Sequence, residues 1–182
     1  LDVQQQGAHP VIGDRSFGDD PAMVARLGEA VAEGLLAGGV LPVVKHIPGH
    51  GRTMADSHLA LPVVDCPAAA LRDVDLVPFH ALRELPLAMT AHVLYVAWDP
   101  DLPATISPRV IGQIIRGEVG FDGLLLSDDI GMSALGGSLA ERADLALQAG
   151  CDVVLHCSGE IAEMEAVSQA TRVMDARGWQ RW

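Results

Sequence analysis

The chain has 182 residues, 49% hydrophobic and 20% charged, with 24 acidic against 12 basic side chains for a net charge of −12. That balance repels phosphate backbones and anionic membrane surfaces, so neither nucleic acid nor membrane is an expected partner. No apolar run reaches the roughly 18–20 residues of a membrane helix, and no basic-then-apolar leader marks the chain for export.

Helix and strand signals alternate from the front. Asp20 before Pro21 reads as a helix cap followed by a first-turn proline. Met23, Val24, Leu27, Val31 and Leu35 recur at helical spacing, and Gly38-Gly39 ends the helix. Residues 41–47 form a valine-rich apolar run between glycines and prolines, the pattern of a buried strand. Residues 68–85 read as a second helix and 87–93 as a second strand. A helix from Ser107-Pro108 to about Gly117 precedes a third strand over 124–127. Ser138-Leu139-Ala140-Glu141 is a capping box for a helix that stops at Gly150. A fourth strand over 151–156 and a helix from about Gly159 to Met174 follow, and the tail 178–182 carries no helical period.

Strands that are continuous apolar runs and alternate with helices imply a parallel α/β sheet. In such sheets chemistry collects at the carboxyl ends of the strands. Cys66, Cys151 and Cys157 are three cysteines without a CxxC pair, which suits reduced thiols in a cytoplasmic protein.

Polar residues gather at those strand ends. Lys45 and His46 lead into Pro48-Gly49-His50-Gly51, where glycines let the backbone approach a ligand. A cation beside an imidazole can donate to a polyhydroxy or acidic ligand; a salt bridge with a buried histidine is the plainer alternative. Asp56 and His58 stand two apart in a loop. A carboxylate bonded to one imidazole nitrogen fixes the tautomer and raises basicity, which suits proton shuttling; an Asx turn beside an exposed histidine fits the same spacing. Asp128 and Asp129 follow the apolar run 124–126 and Ser127, with one able to face a pocket and the other to cap the turn. Arg15 could clamp a carboxylate or sugar hydroxyls, or pair with Asp14, Asp19 or Asp20. The second strand ends in Thr90-Ala91-His92. His9, His80 and His156 have no informative spacing, and Trp98 reads as a core edge or a loop platform.

Five segments together carry a resemblance: Val11-Ile12-Gly13-Asp14-Arg15-Ser16-Phe17, Lys45-His46-Ile47-Pro48-Gly49-His50-Gly51, Asp56-Ser57-His58, Met89-Thr90-Ala91-His92-Val93 and Ser127-Asp128-Asp129-Ile130-Gly131-Met132. In this order they resemble the bacterial β-N-acetylhexosaminidases of glycoside hydrolase family 3, the NagZ type, over residues 1–174. The resemblance implies a (β/α)8 TIM barrel and a retaining, two-step hydrolysis through a covalent glycosyl-enzyme. It implies Asp128 as nucleophile, His58 as acid/base with Asp56 as its partner, and Arg15, Lys45 and His46 as sugar contacts. Neither a cofactor nor a metal is implied. The substrates implied are GlcNAc-anhydro-MurNAc peptides of cell-wall recycling, muropeptides that carry carboxylates.

A full barrel needs about 250 residues, and family members carry about a hundred more before the position matching Leu1. The expectation is therefore an N-terminally truncated, partial barrel, with 1–182 as a single catalytic domain and 1–3 as the end of the third barrel strand. Two readings compete. His46, His50, His58, Asp56 and Asp128 are legitimate ligands for a metal-dependent barrel hydrolase, although HxH and HExxH spacings are missing. The other is a sugar-binding fragment without turnover. Phosphate in place of water as the acceptor also fits an acid/base histidine in this family.

Overall fold

The computed structural model describes residues 1–8 and 12–182; His9 and Val11 lie outside the described residues. A short 3-10 turn at Gly13–Arg15 precedes α1 (Pro21–Ala37). Then come β1 (Val43–Ile47), β2 (Val63–Val64), α2 (Ala68–Ala70), α3 (Val77–Ala81), β3 (Leu87–Thr90), β4 (Leu94–Tyr95) and β5 (Leu124–Asp129). The chain continues through α4 (Leu139–Ala149), β6 (Val153–Leu155), α5 (Ile161–Ala170) and α6 (Ala176–Arg181).

The main sheet runs β1-β3-β5-β6 with every pair parallel. Its registers pair Val43 with Leu87, Leu87 with Leu124 and Leu126 with Val153. Parallel neighbours point the same way, so Ile47, Thr90, Asp129 and Leu155 all end at one edge. A second parallel pair, β2 with β4, was not expected from sequence and lies within the connections after β1 and β3. The sheet is an open stretch of four strands, as an incomplete barrel portion requires. Leu71, Leu76, Phe79, Ile111, Ile115 and Leu125 are buried in the main core against it. Ile130, Leu135, Ala143 and Val167 form a second cluster between α4 and α5.

The local signals held where they rest on capping chemistry. Asp20 accepts from the Met23 amide at the start of α1. Ser138 and Glu141 form the reciprocal capping box of α4, and Gly150 closes it at a φ of 118°. Several elements differ from expectation. The helix over 68–85 is broken into α2, a π-helical stretch Leu71–Asp75 and α3. Pro78 has no N–H for the Val74 carbonyl, so a regular helix cannot continue through it. The helix after Ser107 is π-helical over Val110–Glu118, with Ser107 Oγ accepting from the Val110 amide. α5 stops at Ala170, where Thr171 turns extended.

The tail forms α6 because Asp175 caps the Gly178 amide and Arg181 reaches Asp122 and Asp152. Those are long-range partners that a local period cannot reveal. Along α1, the buried face is Val24, Ala25, Gly28 and Ala32. Met23, Leu27, Val31 and Leu35 lie on the outward face. Residues 1–3 do not form a regular strand, although the Leu1 nitrogen donates to the Lys45 carbonyl. Trp98 is a core residue packed on Tyr95, with ring centroids 5.2 Å apart.

Candidate active site

A cavity of about 300 Å³ opens at the carboxyl edge of the sheet. Arg15, Lys45, His46, His58, Asp128 and Asp129 all line it, so residues separated by more than a hundred positions meet in one place. Asp56 is held behind His58: its Oδ1 accepts from the His58 amide at 2.9 Å and from the ring Nδ1 at 2.7 Å. The carboxylate only accepts, so Nδ1 carries the hydrogen and Nε2 is left for other work. The His58 side chain is 61% exposed, which leaves it open to a leaving group or to water. Arg15 donates from Nε to the carbonyl of Ile12, another lining residue, at 3.3 Å.

The two aspartates at the end of β5 separate by their partners. Asp129 Oδ1 accepts from the Gly131 and Cys157 amides, at 2.9 and 3.2 Å, and so clamps the turn after β5 to the turn after β6. Among the described residues Asp128 Oδ1 accepts only from the neighbouring Asp129 amide, and Oδ2 stands 4.0 Å from His46 Nε2. The carboxylate free of loop clamping is therefore Asp128. Beneath both, Thr90 Oγ1 accepts from the Asp128 amide at 3.3 Å, and His92 Nε2 lies 2.9 Å from the Asp129 carbonyl. The Thr90-Ala91-His92 segment thus supports β5 from below. Burial pushes the His92 imidazole down, and Thr105 Oγ1 holds its other nitrogen at 2.7 Å.

Sequence reasoning missed Asp2. This aspartate is 5% exposed and carries the site's densest set of bonds. Its Oδ1 accepts from the His46 and His50 amides at 3.2 and 2.7 Å, and its Oδ2 accepts from His46 Nδ1 at 2.8 Å. His46 is thereby fixed with Nδ1 toward Asp2 and Nε2 toward Asp128. An aspartate between two apolar residues, Leu1 and Val3, was the available signal. Arg52 and Asp75 form a second anchor beneath the same loop: Nε donates to Oδ2 at 2.5 Å, while Asp75 is 1% exposed. The Tyr95 hydroxyl donates to the Gly49 carbonyl at 2.5 Å.

Among the described residues no three His, Cys, Asp or Glu side chains converge as a metal cage. The closest approximation to the residues proposed as ligands is a set of hydrogen-bonded pairs, each histidine already engaged with Asp2, Asp56 or a hydroxyl. No helix among the described residues is long and apolar enough to cross a membrane.

Comparison with known proteins identifies relatives of this chain. The β-hexosaminidase of Alkalilimnicola ehrlichii is 47% identical over 157 residues, covering 84% of this chain and 45% of that protein. NagZ from Neisseria gonorrhoeae, solved with N-trifluoroacetyl-D-glucosamine, superposes with a TM-score of 0.88 at 38% identity, over 100% of this chain and 52% of that one. A glycoside hydrolase family 3 β-N-acetylglucosaminidase from Paenibacillus sp. gives a TM-score of 0.91 at 38% identity, over 99% of this chain and 36% of that one. The chain spans less than half the length of the β-hexosaminidase it matches. The model of the glycosyl hydrolase family 3 N-terminal domain matches residues 1–176, and the chain belongs to that family.

Proposed function

We propose that residues 1–182 form a partial-barrel catalytic unit carrying the reacting groups of a retaining β-N-acetylglucosaminidase. The observation that supports this most is the shared cavity: His58, backed by Asp56, opens into the same space as Asp128. Asp128 attacks the anomeric carbon while His58 passes its proton to the departing glycosidic oxygen. In the second step His58 takes a proton from water, and the water oxygen displaces the Asp128 carboxylate. Arg15 and Lys45 hold the sugar by donating to its hydroxyls and amide oxygen, and His46 contacts it through Nε2, which accepts from a hydroxyl while Nδ1 donates to Asp2.

Most retaining glycosidases use two carboxyl groups about 5 Å apart. An imidazole in place of the second puts less negative charge beside the leaving group. That suits an aglycone bearing its own carboxylates, so the substrate class we assign is a GlcNAc-terminated muropeptide met in cytoplasmic cell-wall recycling. Three free thiols accord with a reducing compartment.

The test is release of a chromogenic phenol from an aryl β-N-acetylglucosaminide, with and without a chelator, and with Asp128→Ala as the control. Chelator-insensitive release that disappears in Asp128→Ala is the expected result. Release abolished by the chelator would transfer the chemistry to a metal-dependent reaction. Saturable sugar binding without release would leave a binding fragment.

A further inference from the structure

The proposed acid/base pair lies on a loop with little packing of its own. Between 54 and 60, Ser57 is the one buried residue, at 3% exposure, while Met54, His58 and Leu59 face solvent. The Asp56–His58 bonds are internal to the loop and shape the pair. Ties from the loop to the rest of the site bear on where the pair meets the end of β5.

Ser57 Oγ lies 3.2 Å from His50 Nε2, and His50 Nδ1 lies 2.9 Å from Thr53 Oγ1. All three residues are buried. A neutral imidazole offers one donor and one acceptor, and a hydroxyl can serve as either, so both tautomers complete both bonds. Burial lowers the His50 pKa, which keeps the ring neutral near pH 7. The His50 amide donates to Asp2, and its ring packs 5.6 Å from the His46 ring. His50 is thus tied to the side of the cavity that holds His46 and faces Asp128.

We propose that His50 is a positioning residue, which seats the Asp56–His58 pair over Asp128 through its hydrogen bond to Ser57. This rests on the glycosidase reading above. His50 and Ser57 also line the cavity; His50 acts there by setting where His58 meets the leaving-group oxygen. A second, longer bond outward runs from the Ser133 amide to the His58 carbonyl at 3.4 Å. Loss of the buried Ser57–His50 bond is expected to matter, because a displacement of about 1 Å at a catalytic group can cost about 100-fold in rate.

The test uses Ser57→Ala, His50→Ala and His50→Gln in the full chain with two β-N-acetylglucosaminides. One has a dinitrophenyl leaving group that departs without a proton; the other has an alkyl leaving group that needs one. Ser57→Ala and His50→Ala are expected to lower kcat/KM on the alkyl substrate about 10-fold or more, part of the roughly 10²–10⁴-fold that acid–base catalysis supplies. On the dinitrophenyl substrate kcat/KM, which reports the first step alone, should change less than about 3-fold, because no proton is needed there. His50→Gln, which keeps a donor and an acceptor near the Nε2 position, should recover most of the loss. Equal losses of kcat/KM on both substrates, or a Ser57→Ala variant that matches the parent, would overturn the proposal. If the parent chain turns over neither substrate, the glycosidase reading fails by itself. The brace is then read from amide exchange at Ser133: faster exchange in Ser57→Ala supports it, and unchanged exchange refutes it.

Discussion

Replacing Asp2 with asparagine keeps the side-chain volume and removes the charge that three donors share. The His46 amide, the His50 amide and His46 Nδ1 all point at this carboxylate, within 3.2 Å. Hydrogen bonds to a charged partner contribute about 1.5–3 kcal/mol and neutral ones about 0.5–1.5, so the loss is about 1 kcal/mol per bond and about 3 kcal/mol in all. For a chain of this size that lowers the melting temperature by about 6–12 °C. The asparagine amide also donates where the carboxylate accepted, so His46 must turn its lone pair to position 2 and its hydrogen toward Asp128.

The effect carries a pH signature. Burial alone would raise the Asp2 carboxyl, but the charge and hydrogen bond of His46 outweigh it and hold the group well below the usual carboxylate range. A carboxyl depressed by folding adds stability above its unfolded pKa and loses it as pH falls through the folded value. Thermal unfolding followed by circular dichroism should therefore show the full gap between parent and Asp2→Asn at pH 7, narrowing below about pH 4. A gap under about 1 °C at pH 7, or one that widens on acidification, would refute the reasoning.

Asp75 should behave in the opposite sense. Burial pushes it up to about 6 despite the Arg52 guanidinium beside it. A raised carboxyl favours the fold at low pH and loses that contribution as pH rises through 6, so the parent should gain on Asp75→Asn by up to about 3 kcal/mol between pH 7 and pH 4. Denaturant unfolding at the two pH values checks this, and the reverse trend would mean that Arg52 outweighs burial. Asp129→Ala removes the acceptor shared by the Gly131 and Cys157 amides. It should lower unfolding free energy by about 1–3 kcal/mol while retaining turnover; turnover lost with the fold intact would make Asp129 the attacking group. His58→Ala should lower kcat/KM by about 10²-fold or more for substrates with poor leaving groups and far less for activated aryl substrates, measured across a leaving-group series.

Much of the fold was legible because its signals are local. The Asp20 cap and the Ser138–Glu141 box are each satisfied within three residues, and the apolar runs of β1, β3, β5 and β6 need only burial to be recognised. The site's outline was legible for a related reason: a parallel sheet carries the ends of β1 and β5 to one edge, so Lys45, His46, Asp128 and Asp129 had to be neighbours. What stayed hidden depends on partners far along the chain. Asp2 acts through donors 44 and 48 positions away. α6 depends on Arg181 reaching Asp122 and Asp152. The outward Met23, Leu27, Val31 and Leu35 have the period of a buried stripe, because periodicity defines a face without defining what covers it.

The most direct test of the central claim is mass spectrometry of the chain after reaction with a fluorinated N-acetylglucosaminyl fluoride, which forms the glycosyl-enzyme but resists its hydrolysis. A single added sugar is expected, placed on Asp128 by peptide fragmentation, with none on the Asp128→Asn variant. An adduct on Asp129, or phenol release from an aryl substrate with no trapped adduct on any carboxylate, would contradict the claim.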